Sequence, residues 1–310
     1  MNPLLILIAA CILSLAGYFG KFSFWFDLTA HFQVQYLFVF VYCALIYGLK
    51  KKWKMALLAL CLTSLNLVRI IPLYTNPDPS PQASQSQRLK ILLVNVHTQN
   101  NQYKTAADYI RQMNPDILAL EEINEAWVNG LQSVIKEYPY YKEDMRNDNF
   151  GIGLYSRIPL ENISVEYWGQ VEVPSIVATI HLDSRPVTLL FTHPVPPVSQ
   201  QYFQWRNNQL EIIASKRGQW ADDLILIGDL NTSSWSYYFK KFVKDLGVRD
   251  SRLVFGLQPS WPARLPLLWT TIDHCLVSAD LVVFNRRTGQ HIGSDHYPVY
   301  LEVGSSGKPR

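Results

Sequence analysis

Hydrophobic residues follow two different patterns along the chain. Before residue 76 they form three long, nearly unbroken runs, from Leu4 to Phe19, from Val34 to Leu49 and from Met55 to Leu73. From residue 89 onward they form short runs, each bounded by Gly, Pro, Asn or Asp. Long uniform runs are typical of membrane-spanning helices, whereas short bounded runs are typical of strands. The pattern predicts an N-terminal membrane segment followed by a globular domain.

Residues 1–75 are predicted to form an anchor of three transmembrane helices. A helix needs roughly 20 apolar residues to cross a bilayer, and aromatic residues such as Trp25 and Tyr47 extend the two shorter runs toward the interface. The runs are apolar on every side, which disfavours a soluble helical bundle. A cleaved signal peptide is disfavoured because no basic residue precedes the first run and two further runs follow it.

A basic loop between the second and third runs predicts how the anchor is oriented. Lys50, Lys51, Lys52 and Lys54 are expected to face the cytoplasm. Three spans then place the chain after the third span outside. The prediction is a multi-pass protein of the inner or plasma membrane, with its globular domain facing the periplasm or the cell exterior. Residues 76–88, rich in Pro, Ser and Gln, are predicted to be a linker.

Residues 89–304 are predicted to form one α/β domain, and residues 305–310 a tail. The short runs predict strands near residues 90–96, 117–120, 151–155, 175–181, 187–192, 224–227, 271–277 and 299–303. Apolar residues with helical spacing predict helices near residues 105–113, 209–216 and 235–245. Strands and helices mixed in this way fit an α/β sandwich.

Charge and cysteine content narrow the possible functions. The first 78 residues carry six bases and two acids, and the rest of the chain carries 22 bases and 23 acids. A nearly neutral domain disfavours tight, non-specific binding of nucleic acid, which needs a basic face. Cys275 is the one cysteine outside the apolar runs, so no disulfide can form within the domain. We interpret Cys275 as a buried core residue rather than a nucleophile.

Polar side chains end several of the short runs. They occur in Leu93-Val94-Asn95, Leu120-Glu121-Glu122-Ile123, Phe191-Thr192-His193, Ile227-Gly228-Asp229-Leu230-Asn231, Ile272-Asp273-His274 and Gly293-Ser294-Asp295-His296. Each alone is ambiguous, since a strand-end Asn is commonly a turn former and strand-end carboxylates are commonly solvated. Together and in this order, the motifs resemble those of the endonuclease/exonuclease/phosphatase superfamily. The resemblance implies metal-assisted hydrolysis of a phosphate ester on a four-layer α/β sandwich, two mixed β-sheets flanked by helices.

The resemblance also implies which residues bind metal. Glu122, Asp295 and Asn95 are expected to hold Mg²⁺ or Mn²⁺, and oxygen donors of this kind suit a hard cation. Glu121 stands where the superfamily usually has Gln, and the register of the motif favours Glu122 over Glu121 as the metal ligand.

Four residues are expected to be catalytic by the same resemblance. His296, oriented by Asp273, is expected to act as a base or to stabilise transition-state charge. Asp229 is expected to position the attacking water, and His193 to lie near the scissile phosphate.

Three residues are expected to bind substrate. Asn95 and Asn231 are expected to contact the phosphate. Arg206 opens a segment, Arg206-Asn207-Asn208-Gln209, that is similar to segments of membrane-anchored bacterial members, and its guanidinium could bind a phosphate with two hydrogen bonds. An ordinary surface helix is the alternative for this segment.

The sequence thus predicts a membrane-anchored, divalent-metal-dependent phosphodiesterase. Its expected partners are the lipid bilayer and a phosphodiester substrate, either a nucleic acid or a phospholipid or sphingomyelin-type head group. No protein partner is predicted. The alternative is a catalytically inactive relative that acts as a membrane-tethered scaffold.

Overall fold

A computed structural model of the chain describes residues 2–75 and 87–306. Most of the predicted linker, residues 76–86, lies outside the described residues, as do residues 307–310 of the predicted tail.

The N-terminal segment is helical and apolar. Its helices are α1 (Pro3–Ala16), α2 (Phe24–Thr29), α3 (Gln33–Leu49), α4 (Trp53–Ile70) and α5 (Pro72–Thr75), with short 3-10 turns at residues 17–19 and 30–32. Two stretches of the described chain are long and apolar enough to cross a membrane, Phe24–Leu49 and Trp53–Ile70. Pro3–Phe19, the first predicted span, is a shorter apolar helix; α1 ends at Ala16 and is followed by a 3-10 turn. The structure therefore contains two candidate spans where three were predicted.

Two six-stranded mixed sheets form the centre of the remaining chain. The strands are β1 (Arg88–Asn95), β2 (Ile117–Glu121), β3 (Tyr140–Asp144), β4 (Ile152–Ser156), β5 (Glu161–Tyr167), β6 (Pro174–Leu182), β7 (Arg185–Thr192), β8 (Asp223–Asp229), β9 (Val248–Asp250), β10 (Asp273–Ser278), β11 (Leu281–Thr288) and β12 (Val299–Ser305). The first sheet has the order β11-β12-β1-β2-β4-β3, and the second has the order β5-β6-β7-β8-β10-β9. Apolar side chains from both sheets fill the space between them.

Helices cover the outer face of each sheet. Helices α6 (Tyr103–Met113) and α7 (Glu125–Ile135) pack on the first sheet, and α8 (Gln200–Ser215) and α9 (Tyr237–Leu246) pack on the second. The predicted sandwich of two mixed sheets flanked by helices is confirmed.

Several elements were not predicted because their sequences are polar or lack a clear period. Strands β3 and β5 lie at the ends of the sheets and are partly exposed, so neither forms an apolar run. Helix α7 begins after Asn124, whose side chain accepts a hydrogen bond from Trp127 N at 3.1 Å. Helix α8 begins at Gln200, well before the predicted start at residue 209, because Ser199 caps it through Tyr202 N.

Parallel pairing brings the polar strand ends together. Strand β1 pairs in parallel with β2, with Asn95 opposite Glu121. Strand β7 pairs in parallel with β8, and antiparallel pairing of β8 with β10 sets Asp229 opposite Asp273. The two sheets meet where Glu121 Oε1 accepts a hydrogen bond of 2.8 Å from Asp229 N. The residues that end the apolar runs therefore converge on one edge of the sandwich.

Candidate active site

A cavity of about 540 Å³ opens at this edge of the sandwich. Most of the residues proposed from the sequence line it, namely Glu122, His193, Asp229, Asn231, Asp295 and His296. Other lining residues come from loops and from the N-terminal segment, among them Leu28, His31, His97, Phe150, Tyr202 and Trp261.

A histidine–carboxylate pair lies at the base of the cavity. Asp273 begins β10, and its Oδ2 lies 2.9 Å from Nδ1 of His296. Both side chains are buried. Burial alone would lower the pKa of His296, but the charge and hydrogen bond of Asp273, helped by Asp229, outweigh it and raise the pKa to about 10. The imidazole of His296 is therefore positively charged at neutral pH, with its orientation set by Asp273.

Asp229 lies between two histidines. Its Oδ2 is 3.7 Å from His296 Nε2 and 3.8 Å from His193 Nε2, and its Oδ1 accepts a hydrogen bond from Asn231 N. Burial, followed by the negative charge of Asp273, raises the pKa of Asp229 to about 8. Burial, followed by the charge of His296, lowers the pKa of His193 to about 3. The cavity thus holds a cationic His296, a neutral His193 and a carboxyl group that can exchange a proton near neutral pH.

Gly228 allows Asp229 to reach this position. Its φ of 151° is rare for residues with a side chain, and a Cβ there would overlap the carbonyl oxygen of Thr192 on the adjacent strand. The Gly-Asp sequence at the end of β8 therefore has a steric origin.

A second acidic group converges on His97. The ring nitrogen Nδ1 of His97 lies 3.2 Å from Asp295 Oδ1 and 3.8 Å from Glu122 Oε2. Asn95 does not line the cavity, but its Nδ2 donates a 2.9 Å hydrogen bond to Glu122 Oε1. Burial raises the pKa of Glu122 and so favours its neutral form. A cation beside this carboxyl group would have the opposite effect and favour its charged form. A donor set of two carboxylates suits a hard divalent cation.

The adjacent acid, Glu121, points the other way. It is completely buried, and its Oε2 has no hydrogen-bond partner among the residues that the structure describes. Glu122 has φ of 60°, so the chain turns after the last residue of β2 and sends the second carboxylate into the cavity.

Asp229, Asp273 and His296 form another cluster compatible with a metal ion, since their ligand atoms lie within 4.8 Å of one another. However, Nδ1 of His296 is already engaged by Asp273. A metal ion at this cluster would therefore have to bind through Nε2 of His296.

The structure does not place Arg206 in the cavity. Its guanidinium is fully buried, donates to Asp27 Oδ2 at 3.1 Å and donates to the carbonyl oxygen of Asn231 at 2.7 Å. The substrate-binding role predicted for Arg206 needs free donors facing the cavity, so this interpretation is corrected. Asn231 does line the cavity, and its Nδ2 donates to Pro194 O at 2.9 Å.

Several cavity residues were missed by sequence reasoning. His97 could have been found, because it follows Asn95 by two residues just beyond the end of β1. Trp261, whose Nε1 donates to Asp295 Oδ2 at 3.2 Å, lies in a loop without a motif. Leu28 and His31 lie in an apolar segment more than 60 residues before the first motif, where no local signal links them to the site.

Comparisons with known structures agree with this fold. No curated protein matches the chain in sequence. Many solved structures share this fold, and the following three do so at low identity. TDP2 of D. rerio, complexed with single strand DNA product, is 15% identical with a TM-score of 0.59, covering 71% of this chain and 100% of that one. The human Nocturnin catalytic domain with bound sulfate anion is 16% identical, with a TM-score of 0.56 and coverage of 73% and 100%. An endonuclease/exonuclease/phosphatase from Beutenbergia cavernae is 16% identical, with a TM-score of 0.56 and coverage of 72% and 73%.

The family assignment rests on the sequence itself. Residues 92–296 match the profile of the Endonuclease/Exonuclease/phosphatase family, a match that spans most of both sheets and every motif from β1 to His296. Members of this family are typically phosphodiesterases and nucleases and generally use divalent metals. The chain belongs to the Endonuclease/Exonuclease/phosphatase family.

Proposed function

We propose that this protein is a membrane-anchored, divalent-metal-dependent phosphodiesterase. One observation carries the proposal: a single cavity is lined by His296, Asp229, Glu122 and Asp295. Asp273 lies behind His296 and contacts its Nδ1. Hydrolysis of a phosphodiester needs an activated water, a group that stabilises negative charge on the phosphate, and a counter-charge for the oxygens. These side chains meet each need.

The side chains suggest how the reaction proceeds. Asp229, with a pKa of about 8, orients the attacking water and accepts its proton when ionised. The cationic His296 donates a hydrogen bond from Nε2 to an oxygen of the phosphate as negative charge develops, while Asp273 holds the ring. The neutral His193 and the amide of Asn231 hold the phosphate in place.

Mg²⁺ or Mn²⁺ would be held by Glu122 and Asp295, with Asn95 fixing the Glu122 carboxylate through its hydrogen bond. When bound, the ion supplies positive charge that polarises the phosphate and stabilises the leaving oxygen. Trp261 restricts the position of Asp295 through its hydrogen bond. His97 lies between Asp295 and Glu122 and restricts the positions of both carboxylates.

The anchor is proposed to hold the catalytic domain outside the membrane. Gln35, near the start of α3, donates to Trp269 O at 2.9 Å, and Trp235 donates to the carbonyl oxygen of Arg69, near the end of α4. Both contacts lie at the same end of the paired helices α3 and α4, opposite the basic loop at residues 50–54. If that loop faces the cytoplasm, the domain faces the periplasm or the exterior.

A lipid head group is the substrate class that we favour. An apolar cavity of about 580 Å³, lined by Val34, Phe38 and Trp269 among others, lies between α3 and the catalytic domain. The walls of the two cavities share a segment of chain, because Thr271 lines this cavity and the next residue, Ile272, lines the active-site cavity. We propose that an acyl chain occupies it. Nucleic acid is the second candidate, supported by the DNA product in the TDP2 complex.

A substrate panel tests the proposal. Detergent-solubilised protein is incubated with Mg²⁺ or Mn²⁺ and with sphingomyelin, phosphatidylinositides, plasmid DNA, single-stranded DNA, RNA or bis(p-nitrophenyl) phosphate. Turnover should require the metal, and should be lost in His296→Ala and Glu122→Ala but retained in His181→Ala, a control at an exposed strand residue. Absence of turnover and of metal binding would instead favour the inactive scaffold.

A further inference from the structure

The N-terminal segment supplies a buried carboxylate to the catalytic domain. Asp27, in α2, is only 1% exposed, and its Oδ2 accepts a hydrogen bond of 3.1 Å from Nη2 of Arg206. Asp27 lies outside the family match, which begins at residue 92, whereas Arg206 lies within it. The counter-charge of a buried arginine in the catalytic domain therefore comes from outside that domain.

Arg206 depends on this carboxylate. Its guanidinium is fully buried, and Asp27 is its one ion-pair partner within the described chain. Two other nitrogens of the guanidinium donate hydrogen bonds, Nε to Asn207 Oδ1 at 2.9 Å and Nη1 to the carbonyl oxygen of Asn231 at 2.7 Å. A buried cation that loses its partner is strongly destabilising. Without the Asp27 acceptor, the Arg206 side chain should therefore move and give up its contact with Asn231.

Arg206 in turn holds the backbone at Asn231. Asn231 has a φ of 50°, in the left-handed region that residues with a side chain seldom adopt. Its carbonyl oxygen accepts the hydrogen bond from Arg206, and its Nδ2 donates to Pro194 O at 2.9 Å. These contacts on the backbone and on the side chain stabilise an otherwise unfavourable conformation.

The backbone of Asn231 orients the carboxyl group of Asp229. Asn231 N donates to Asp229 Oδ1 at 2.8 Å. The other oxygen, Oδ2, then lies 3.7 Å from His296 Nε2 and 3.8 Å from His193 Nε2. A continuous series of three hydrogen bonds thus connects Asp27, in the N-terminal segment, to the carboxyl group at the centre of the cavity.

We propose that Asp27 is a positioning residue for the hydrolysis of the phosphate ester. Asp27 keeps Arg206 in place, and Arg206 holds the Asn231 backbone. That backbone keeps the carboxyl group of Asp229 where it can orient the attacking water. The proposal rests on the proposed function, because it takes Asp229 as the group that activates water. It makes the N-terminal segment part of the catalytic arrangement as well as an anchor.

Steady-state kinetics of the full-length, detergent-solubilised protein test this role, with bis(p-nitrophenyl) phosphate as the substrate and Mg²⁺ present. Asp27→Ala should lower kcat about 10–100-fold and leave KM within about twofold, because a displaced base slows the chemical step without weakening binding. Asp27→Asn should lower the melting temperature but recover most of kcat, since its amide oxygen can still accept the hydrogen bond from Arg206.

Two further variants separate positioning from docking of the segment. Ser236 Oγ donates to the other oxygen of Asp27, Oδ1, at 2.6 Å. Ser236→Ala should therefore lower the melting temperature and keep kcat within about twofold, because the series from Asp27 to Asp229 stays intact. Arg206→Lys keeps the ion pair but lacks the guanidinium fork that also reaches Asn231. It should lower kcat with a smaller loss of stability, and it replaces Asp27→Ala in the test where that variant does not fold.

Hydrogen–deuterium exchange gives a readout that does not depend on turnover. The N–H of Asn231 is protected by its hydrogen bond to Asp229. Exchange in peptides covering residues 230–235 should be about tenfold faster in Asp27→Ala and close to the wild type in Asp27→Asn. Exchange in β1, which belongs to the other sheet, should be unchanged in both variants.

The outcomes separate the two proposals. Faster exchange at residues 230–235 in Asp27→Ala, in a protein whose wild type has no turnover, would refute the proposed function and support the coupling of Asp27 to Asn231. Unchanged kcat and exchange in Asp27→Ala, or in Arg206→Lys in its place, would refute the positioning role and leave the proposed function standing. Equal losses of kcat in Asp27→Ala, Asp27→Asn and Ser236→Ala, with lower melting temperatures, would identify purely structural contacts and also refute the role.

Discussion

The substitution Glu121→Gln should stabilise the protein, and the gain should increase with pH. Glu121 is completely buried, and its Oε1 accepts a hydrogen bond from Asp229 N, whereas its Oε2 has no partner within residues 2–75 and 87–306. Burial first, and then the negative charges of Asp229 and Asp273, raise the pKa of Glu121 well above its usual value of 4.5. Gln has the same shape and can accept the same hydrogen bond, but it cannot ionise.

The sign and size of the effect follow from proton linkage. Between its unfolded and folded pKa values, Glu121 holds a proton in the folded protein and has lost it in the unfolded chain. The folded state therefore binds more protons in this window, and the free energy of unfolding falls as the pH rises, by about 1.4 kcal/mol per pH unit. In the Glu121→Gln variant, the free energy of unfolding does not decrease with pH in this way. For a domain of this size, the difference in melting temperature should widen by about 3–5 °C per pH unit.

Thermal unfolding of EDTA-treated protein between pH 5 and pH 8 measures this difference. The two proteins should melt at similar temperatures near pH 5 and separate at higher pH. Glu125→Gln is the matched control, because Glu125 is exposed at the start of α7, and its effect should not vary with pH. A constant difference between Glu121→Gln and the wild type across the range would mean that Glu121 is ionised in the folded protein, and would refute the reasoning.

Three other predictions concern the site. The pKa of His296 is raised from 6.5 to about 10. The pairing of His296 with Asp273 therefore contributes stability that is complete below about pH 6.5 and is lost as the pH rises through 10. Melting curves of the Asp273→Asn variant should lack this alkaline loss of stability, and the kcat of this variant should fall by about 10²–10⁴-fold. Gly228→Ala should yield little folded protein on gel filtration, whereas Gly218→Ala, which meets no atom within 4 Å, should resemble the wild type. EDTA should lower the melting temperature of the wild type but not that of Glu122→Gln, because loss of a bound ion removes its binding free energy.

Short apolar runs predicted most of the fold because buried strands must be apolar. Strands β1, β2 and β8 are buried along nearly their whole length, so each of them forms an apolar run that can be recognised in the sequence. Strands β3 and β5 are partly exposed, and their polar sequences do not distinguish them from loops. The polar residues at the strand ends were predictable for the same reason, because a carboxylate directly after an apolar run stands out in the sequence. Parallel pairing of the strands then brings these residues together at one edge of the sandwich.

The contribution of the N-terminal segment shows where sequence reasoning stops. Asp27 is the sole acid before residue 78, and an acid in an apolar segment requires a partner of opposite charge. The sequence therefore indicates that a partner exists, yet 22 bases follow residue 78 and nothing local selects among them. Only the fold brings Arg206 to within 3.1 Å of Asp27. The same contact explains why Arg206 was misread, since a guanidinium suited to phosphate is equally suited to a buried carboxylate. This ion pair acts together with the hydrogen bonds from Ser236 to Asp27 and from Thr270 to the carbonyl oxygen of His31. These contacts dock the N-terminal segment and place His31 at the wall of the cavity.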